Sequence, residues 1–175
     1  MRLIELFEND YDHREHLERT GFWGRRGAGC LFLAADTGRI LFQHRSKHVE
    51  QPHTWGTWGG AIDSDETPED AVRREAMEET SHDVQIMQMI PLFVFNKPGI
   101  FQYFNYLVVV PHEFEPGLDP NINWETQGYR WCTFGQWPSP LHFGAQLLTS
   151  DRASMVKIQQ AIEKYKTVAL KKKTA

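Results

Sequence analysis

The chain is short of cysteine, of long apolar runs and of any cationic excess. Its two cysteines, Cys30 and Cys132, both lie inside apolar stretches. They are too few to build a metal cluster alone, and they read as buried free thiols of a reducing compartment. No apolar run approaches the roughly 18 residues that span a bilayer; the longest, around Leu107 to Val110, has the length of a strand. The opening residues, MRLIELFENDYDHREHLE, turn acidic too early for a secretory signal, so the expectation is a cytoplasmic protein with no membrane partner.

The net charge of −4 is unevenly spread. Nine carboxylates stand between Gly60 and Asp83 against two arginines, which leaves the rest of the chain about +3. A mildly basic remainder without a clustered basic face excludes general nucleic-acid binding. Aromatic residues are the abundant class: six Trp, eleven Phe and five Tyr make 13% of the chain, suiting a sheet-rich core and a stacking surface for planar ligands. With 41% hydrophobic and 24% charged residues over 175 positions, the composition is that of one globular domain spanning 1–175.

A short polar helix is expected from Asn9 to Arg19, stopped at Gly21, as an N-terminal helical extension over residues 1–24. GAGCLFLAADTGRILFQHR reads as two strands around a turn at Asp36–Arg39, followed by a loop from Ser46 to Thr54 and the glycine-dense WGTWGG. Thr67 caps a helix that Pro68 opens and that runs to about Thr80. VQIMQMIPLFVF and GIFQYFNYLVVV are strands joined at Asn96–Gly99, and GYRWCTF is a further strand after a polar loop. A last helix from Asp151 to Lys166 aligns Met155, Ile158, Ile162 and Tyr165, and residues 167–175, with Lys171 to Lys173, form a flexible basic tail. Hairpins are more evident than βαβ units, so the expected class is α+β, a helix–sheet–helix sandwich.

On the acidic helix, Glu75, Glu78 and Glu79 stand at i, i+3 and i+4. At about 100° per residue they share an arc with the small apolar Ala71, Val72 and Ala76 that would turn inward. Two carboxylates ~5 Å apart repel by roughly 3 kcal/mol at an effective dielectric near 20. Arg74 relieves part of this, and Mg²⁺ or Mn²⁺, hard cations that take carboxylate oxygens, would relieve the rest. A solvated acidic face remains the alternative at this point. The glycines from Gly56 to Gly60 let backbone N–H groups approach a ligand, phosphate oxygens included. His44, His48 and His53 lack a zinc-like spacing.

The segment GAIDSDETPEDAVRREAMEETSH, Gly60 to His82, resembles the Nudix box G-x(5)-E-x(7)-R-E-U-x-E-E-x-G-U, with Gly60, Glu66, Arg74, Glu75, Glu78 and Glu79 on its fixed positions. Ser81 stands where the box has glycine, His82 where it has an aliphatic residue, and Ala76 is small for its place. Trp58 occupies a place where many members have proline. The resemblance reaches from Gly27 to Phe134 and implies the Nudix fold, an α/β/α sandwich with a mixed sheet.

It also implies a Mg²⁺-dependent pyrophosphohydrolase, with Mn²⁺ as a substitute, that cleaves the diphosphate of a nucleoside diphosphate linked to another moiety. By the resemblance, Glu75, Glu78 and Glu79 would bind metal, and Glu66 would brace the loop or bind a second cation. Arg74 would orient the glutamates. The general base would be Glu75 or a later glutamate, for which Glu125 in NWETQGYRW matches best, with Glu113 and Glu115 as runners-up. Gly59, Gly60, Arg45, Trp58, Phe101 and Tyr103 are the candidate substrate-binding residues. Pro98, sixteen residues beyond His82, favours a nucleotide sugar such as ADP-ribose, while NWETQGYRW is closer to dinucleoside polyphosphate hydrolases; a dinucleoside polyphosphate or nucleoside triphosphate pyrophosphohydrolase is the alternative. A catalytically silent nucleotide-binding regulator is the alternative of another class. Isopentenyl diphosphate isomerases resemble the box too, but WGTWGG lacks their cysteine. Family members are often dimers, so a homodimer is the expected assembly if there is one.

Overall fold

The computed structural model describes residues 13–22, 24–119 and 123–173, with 168–173 as backbone alone. Among these residues the strands are β1 (Arg26–Ala34), β2 (Ile40–Arg45), β3 (Trp55–Gly56), β4 (Trp58–Ala61), β5 (Gln88–Lys97), β6 (Phe101–Val110) and β7 (Thr126–Cys132). The helices are α1 (residues 13–20), α2 (Pro68–Thr80), α3 (Phe143–Ser150) and α4 (Arg152–Lys173). The first residues of the helix expected from Asn9 lie outside the described set. Gly21, at φ +78°, follows α1 where the stop was expected.

All strands join one mixed sheet. β1 runs parallel to β6 over its whole length, from Arg26↔Gln102 to Ala34↔Val110. Its other edge is divided: β4 pairs with Gly27 to Cys30, and β2 pairs with Phe32 and Leu33. Past that point β2 pairs with β7 and, at Gln43 and His44, with β3. The sheet therefore splits between β4 and β2. The β5–β6 hairpin turns at Gly99, with φ +71°.

Strand alternation explains why β1 reads as a continuous apolar run. Ala28, Cys30 and Phe32 pack on the α2 side with Leu41, Trp58, Val72, Tyr106 and Val108. Leu31 and Leu33 pack on the opposite side with Ile40, Phe42, Leu107, Leu148, Ile158 and Ile162. Helices thus cover both faces, giving the α/β/α sandwich. The stripe expected on α4 is found there, with Ile158 and Ile162 buried and Met155 and Tyr165 packed against them.

Two features differ from the sequence expectations. α3 is a helix that was not anticipated, because its N-cap is the unusual His142, whose Nδ1 accepts from Gly144 N–H at 3.1 Å. α4 extends through Lys173 rather than ending at Lys166, so the backbone of the Lys171–Lys173 run is helical.

Candidate active site

α2 begins where its cap chemistry dictates. Thr67 Oγ1 accepts from Asp70 N–H at 3.2 Å and Pro68 occupies the first helical position. Ala71, Val72 and Ala76 bury their small side chains against the sheet, which brings the helix close enough for short acidic side chains to reach the split between β4 and β2. The helix ends at Ser81, which adopts the left-handed conformation at φ 54°, ψ 26°.

Arg74 is the hub. Its Nε and Nη2 grip Glu66 in a two-pronged pair at 2.7 and 2.9 Å, while Nη1 reaches Glu75 at 2.8 Å and Glu78 at 3.2 Å. Nη2 also donates to the carbonyl of Ala61 at 3.0 Å, fixing the guanidinium to β4. The bond from Arg74 holds the Glu66 carboxyl below the usual range. Glu66 also accepts from Asp63 N–H at 3.2 Å. It braces the loop that enters α2, and its oxygens are engaged in doing so. The Glu78 side chain is 57% exposed, so the inward arc expected from the helical wheel holds for Glu75 and Glu79 alone.

Glu79 is 8% exposed. Its Oε2 accepts from Gly59 N–H at 2.6 Å and its Oε1 from the Gln43 amide at 2.9 Å. Burial raises its pKa well above the ordinary value, and the nearby charges of Glu75 and Glu125 raise it further. Glu75 is pushed up to about 7, by burial first and by Glu78 and Glu125 after that, with Arg74 opposing. Burial raises Glu125 too, while the charge of Arg45 draws it down. The fold thus brings Glu125, 50 or so residues downstream, into electrostatic contact with both inward glutamates of α2. Glu113 is held elsewhere by Arg39 at 3.1 Å, and the carbonyl of Glu115 bonds His82 at 2.6 Å.

The glycines of β4 serve these carboxylates directly. Gly59 has φ +145° and a Cβ there would drive into the Ala28 carbonyl; at Gly60 a Cβ would stand 2.9 Å from the Glu75 carboxyl carbon. The aromatic candidates lie differently from expectation. Trp58 is fully buried against Phe32, with no face open to a base, and its indole N–H has no acceptor among the described residues. Its strand parity points it into the core. Phe101 stacks on Phe22 at 4.6 Å, and Tyr103 lies over the bare Cα atoms of Gly27 and Gly29. Arg45 donates to the Glu50 carbonyl at 3.1 and 3.0 Å, which presents its charge beside Glu125.

Gln43, Thr126 and Asn123 were not anticipated. The Gln43 amide also donates to Thr126 Oγ1 at 2.6 Å, and the Asn123 amide donates to the backbone carbonyl of Glu79. A glutamine at an inward position of the otherwise apolar ILFQ was the available signal.

Among the described residues no three His, Cys, Asp or Glu side chains form a ready-made metal cage. The donor set nevertheless fits a hard divalent cation. Buried Glu79 and half-buried Glu75 and Glu125 offer carboxylate oxygens, their charges repel one another, and Arg74 reaches Glu75 alone of the three. Mg²⁺ takes one or two carboxylates and completes its shell with water and phosphate, so it does not require an all-protein cage. No helix among the described residues is long and apolar enough to cross a membrane.

Comparison with known proteins adds an independent finding. The family model for the NUDIX domain matches residues 23–150. The chain is 35% identical over 130 residues to a Mycobacterium tuberculosis protein named putative 8-oxo-dGTP diphosphatase 3; the match takes in 70% of this chain and 59% of that one. The chain thus spans about three fifths of the length of that relative. Among solved structures, the Nudix hydrolase RenU of M. smegmatis is 27% identical with a TM-score of 0.59, covering 82% of this chain and 89% of its own. A MutT NUDIX hydrolase of Burkholderia pseudomallei has the same fold at 24% identity and a TM-score of 0.56, over 73% and 97% of the two chains.

Proposed function

We propose, because the chain belongs to the NUDIX domain family, that it is a divalent-metal-dependent pyrophosphohydrolase acting on a nucleotide anhydride. The observation behind this reading is the crowding of Glu75, Glu79 and Glu125 in one buried place, beside the glycine strand β4 and with Arg74 as the neighbouring cation. Glu75, Glu79 and Glu125, with exposed Glu78 at the rim, would hold Mg²⁺ or Mn²⁺. A cation held by these residues would supply positive charge against the negative charge that builds as water attacks phosphorus. Arg74 keeps Glu75 and Glu78 oriented, and Glu66 anchors Arg74 to the loop before α2. Arg45, fixed by Glu50, presents a cation to the substrate's phosphates beside Glu125.

In the reaction a water oxygen bonds to phosphorus, the bridging oxygen departs, and the water's proton passes to a carboxylate. Glu75, at about 7, meets the requirement of a base with a pKa near neutrality, and Glu125, whose carboxyl burial raises, is the second candidate.

The substrate has two readings. A nucleoside triphosphate such as 8-oxo-dGTP is favoured by the name of the 35% identical relative. A nucleotide sugar such as ADP-ribose is favoured by Pro98 in the β5–β6 turn. A panel of 8-oxo-dGTP, dGTP, ADP-ribose and diadenosine tetraphosphate, assayed with Mg²⁺ for released monophosphate, separates them. Turnover of one class, abolished in Glu79→Gln, supports the proposal; nucleotide binding without turnover of any member would make the chain a sensor.

A further inference from the structure

Gln43 shares the α2 side of β2 with Leu41, and it is 1% exposed. A primary amide in such a place is costly unless its polar atoms are paired. Here one nitrogen uses both hydrogens: one on Glu79 Oε1 at 2.9 Å, the other on Thr126 Oγ1 at 2.6 Å. Chemistry fixes the amide's orientation, since an ionised carboxylate only accepts and must be met by nitrogen.

The remaining Glu79 oxygen is taken by Gly59 N–H. Two strands on opposite sides of the split, β2 and β4, therefore grip one carboxylate from two directions. Thr126 directly follows Glu125, and Asn123, two residues before it, donates to the Glu79 carbonyl. The segment bearing Glu125 is thus moored to Glu79 on both flanks. Neither mooring brings a positively charged side chain to the carboxylates.

We propose that Gln43 is a positioning residue whose buried amide sets the Glu79 carboxylate at a fixed place relative to the Glu125 segment, so that both reach one divalent cation. It acts through Glu79 and does not touch substrate. The inference rests on the metal-dependent reading given above and adds to it the residue that sets the spacing.

The test is Mn²⁺ titration of the full chain, followed by electron paramagnetic resonance of free Mn²⁺, with thermal melting as the control for folding. Gln43→Leu removes the donors at similar volume, and Mn²⁺ binding is expected to weaken roughly 10- to 100-fold, the range for outer-shell partners of metal ligands. In a Glu79→Gln background the same substitution is expected to change Mn²⁺ affinity less than about twofold, because the group it acts through is gone. Should Gln43→Leu fail to fold, Thr126→Val, which cuts only the tie to β7, is expected to weaken Mn²⁺ binding in the same direction. A folded Gln43→Leu or Thr126→Val that binds Mn²⁺ as the unaltered chain does overturns the role of Gln43 alone. An unaltered chain that binds no Mn²⁺ overturns the hydrolase reading and this inference together.

Discussion

Replacing Glu79 by glutamine is expected to stabilise the metal-free protein while destroying its activity. In the folded chain Glu79 is buried beside Glu75 and Glu125, and both neighbours raise its pKa above the effect of burial alone. Two carboxylates ~5 Å apart at an effective dielectric near 20 repel by about 3 kcal/mol. Against this, a glutamine must set its NH₂ against either Gly59 N–H or the Gln43 amide, which costs about 1–2 kcal/mol. The net expectation is a gain of about 1–2 kcal/mol near pH 8, or roughly 2–8 °C in melting temperature for a chain of this size.

The pH dependence has a definite sign. A carboxyl whose pKa is raised by folding binds more protons in the folded than in the unfolded state, so stability falls as pH rises through that window. For Glu75 the window runs from about 4.5 to about 7. Folding raises the Glu79 carboxyl as well, so the gain from Glu79→Gln grows as pH rises and shrinks as pH falls. Urea unfolding of both proteins in EDTA at pH 8 and pH 5 measures it. A variant less stable than wild type at pH 8 would refute the idea that these buried acids repel without compensation.

Two further outcomes test other parts of the structure. Ser81 stands in the left-handed region at φ 54°, so Ser81→Gly should raise stability by about 1 kcal/mol in chemical denaturation. His142, drawn down to about 4 by burial and by Arg45, caps α3 as a neutral ring. Its folded pKa is depressed, so its contribution is lost as pH falls from about 6.5 toward 4. His142→Asn keeps a capping acceptor without a proton to gain, and thermal melts across that range should flatten by on the order of 1–2 kcal/mol after allowance for its partial exposure.

The local signals in the sequence were legible because they rest on chemistry within a few residues. Thr67, Pro68 and the early acids define the start of α2, and its end at Thr80 coincides with Ser81, the position where the family has glycine. The bracing role of Glu66 came from the family resemblance, and its partner Arg74 from the structure. Features that depend on distant partners were not legible. The parallel register of β1 on β6 joins segments far apart in the chain, and α3 is capped by a histidine. A helical wheel placed Glu78 inward, whereas the guanidinium of Arg74 meets it at the exposed rim. Trp58 stands among the candidate substrate-binding residues as an aromatic able to stack a base, but strand alternation in β4 turns it into the core. Gln43 escaped notice because a lone polar residue in an apolar strand declares no partner until α2 is laid across the sheet.

The most direct measurement is calorimetric titration of Mn²⁺ into the protein at pH 6.5, in two buffers of different ionisation enthalpy. Carboxyls that burial and neighbouring charges raise, Glu75 to about 7, must lose protons when a cation settles among them. The expected result is binding with net proton release that shrinks as the pH is raised toward 9 and that diminishes in Glu79→Gln. Absence of Mn²⁺ uptake, or uptake with no proton released at pH 6.5, would contradict a cation site built on Glu75, Glu79 and Glu125.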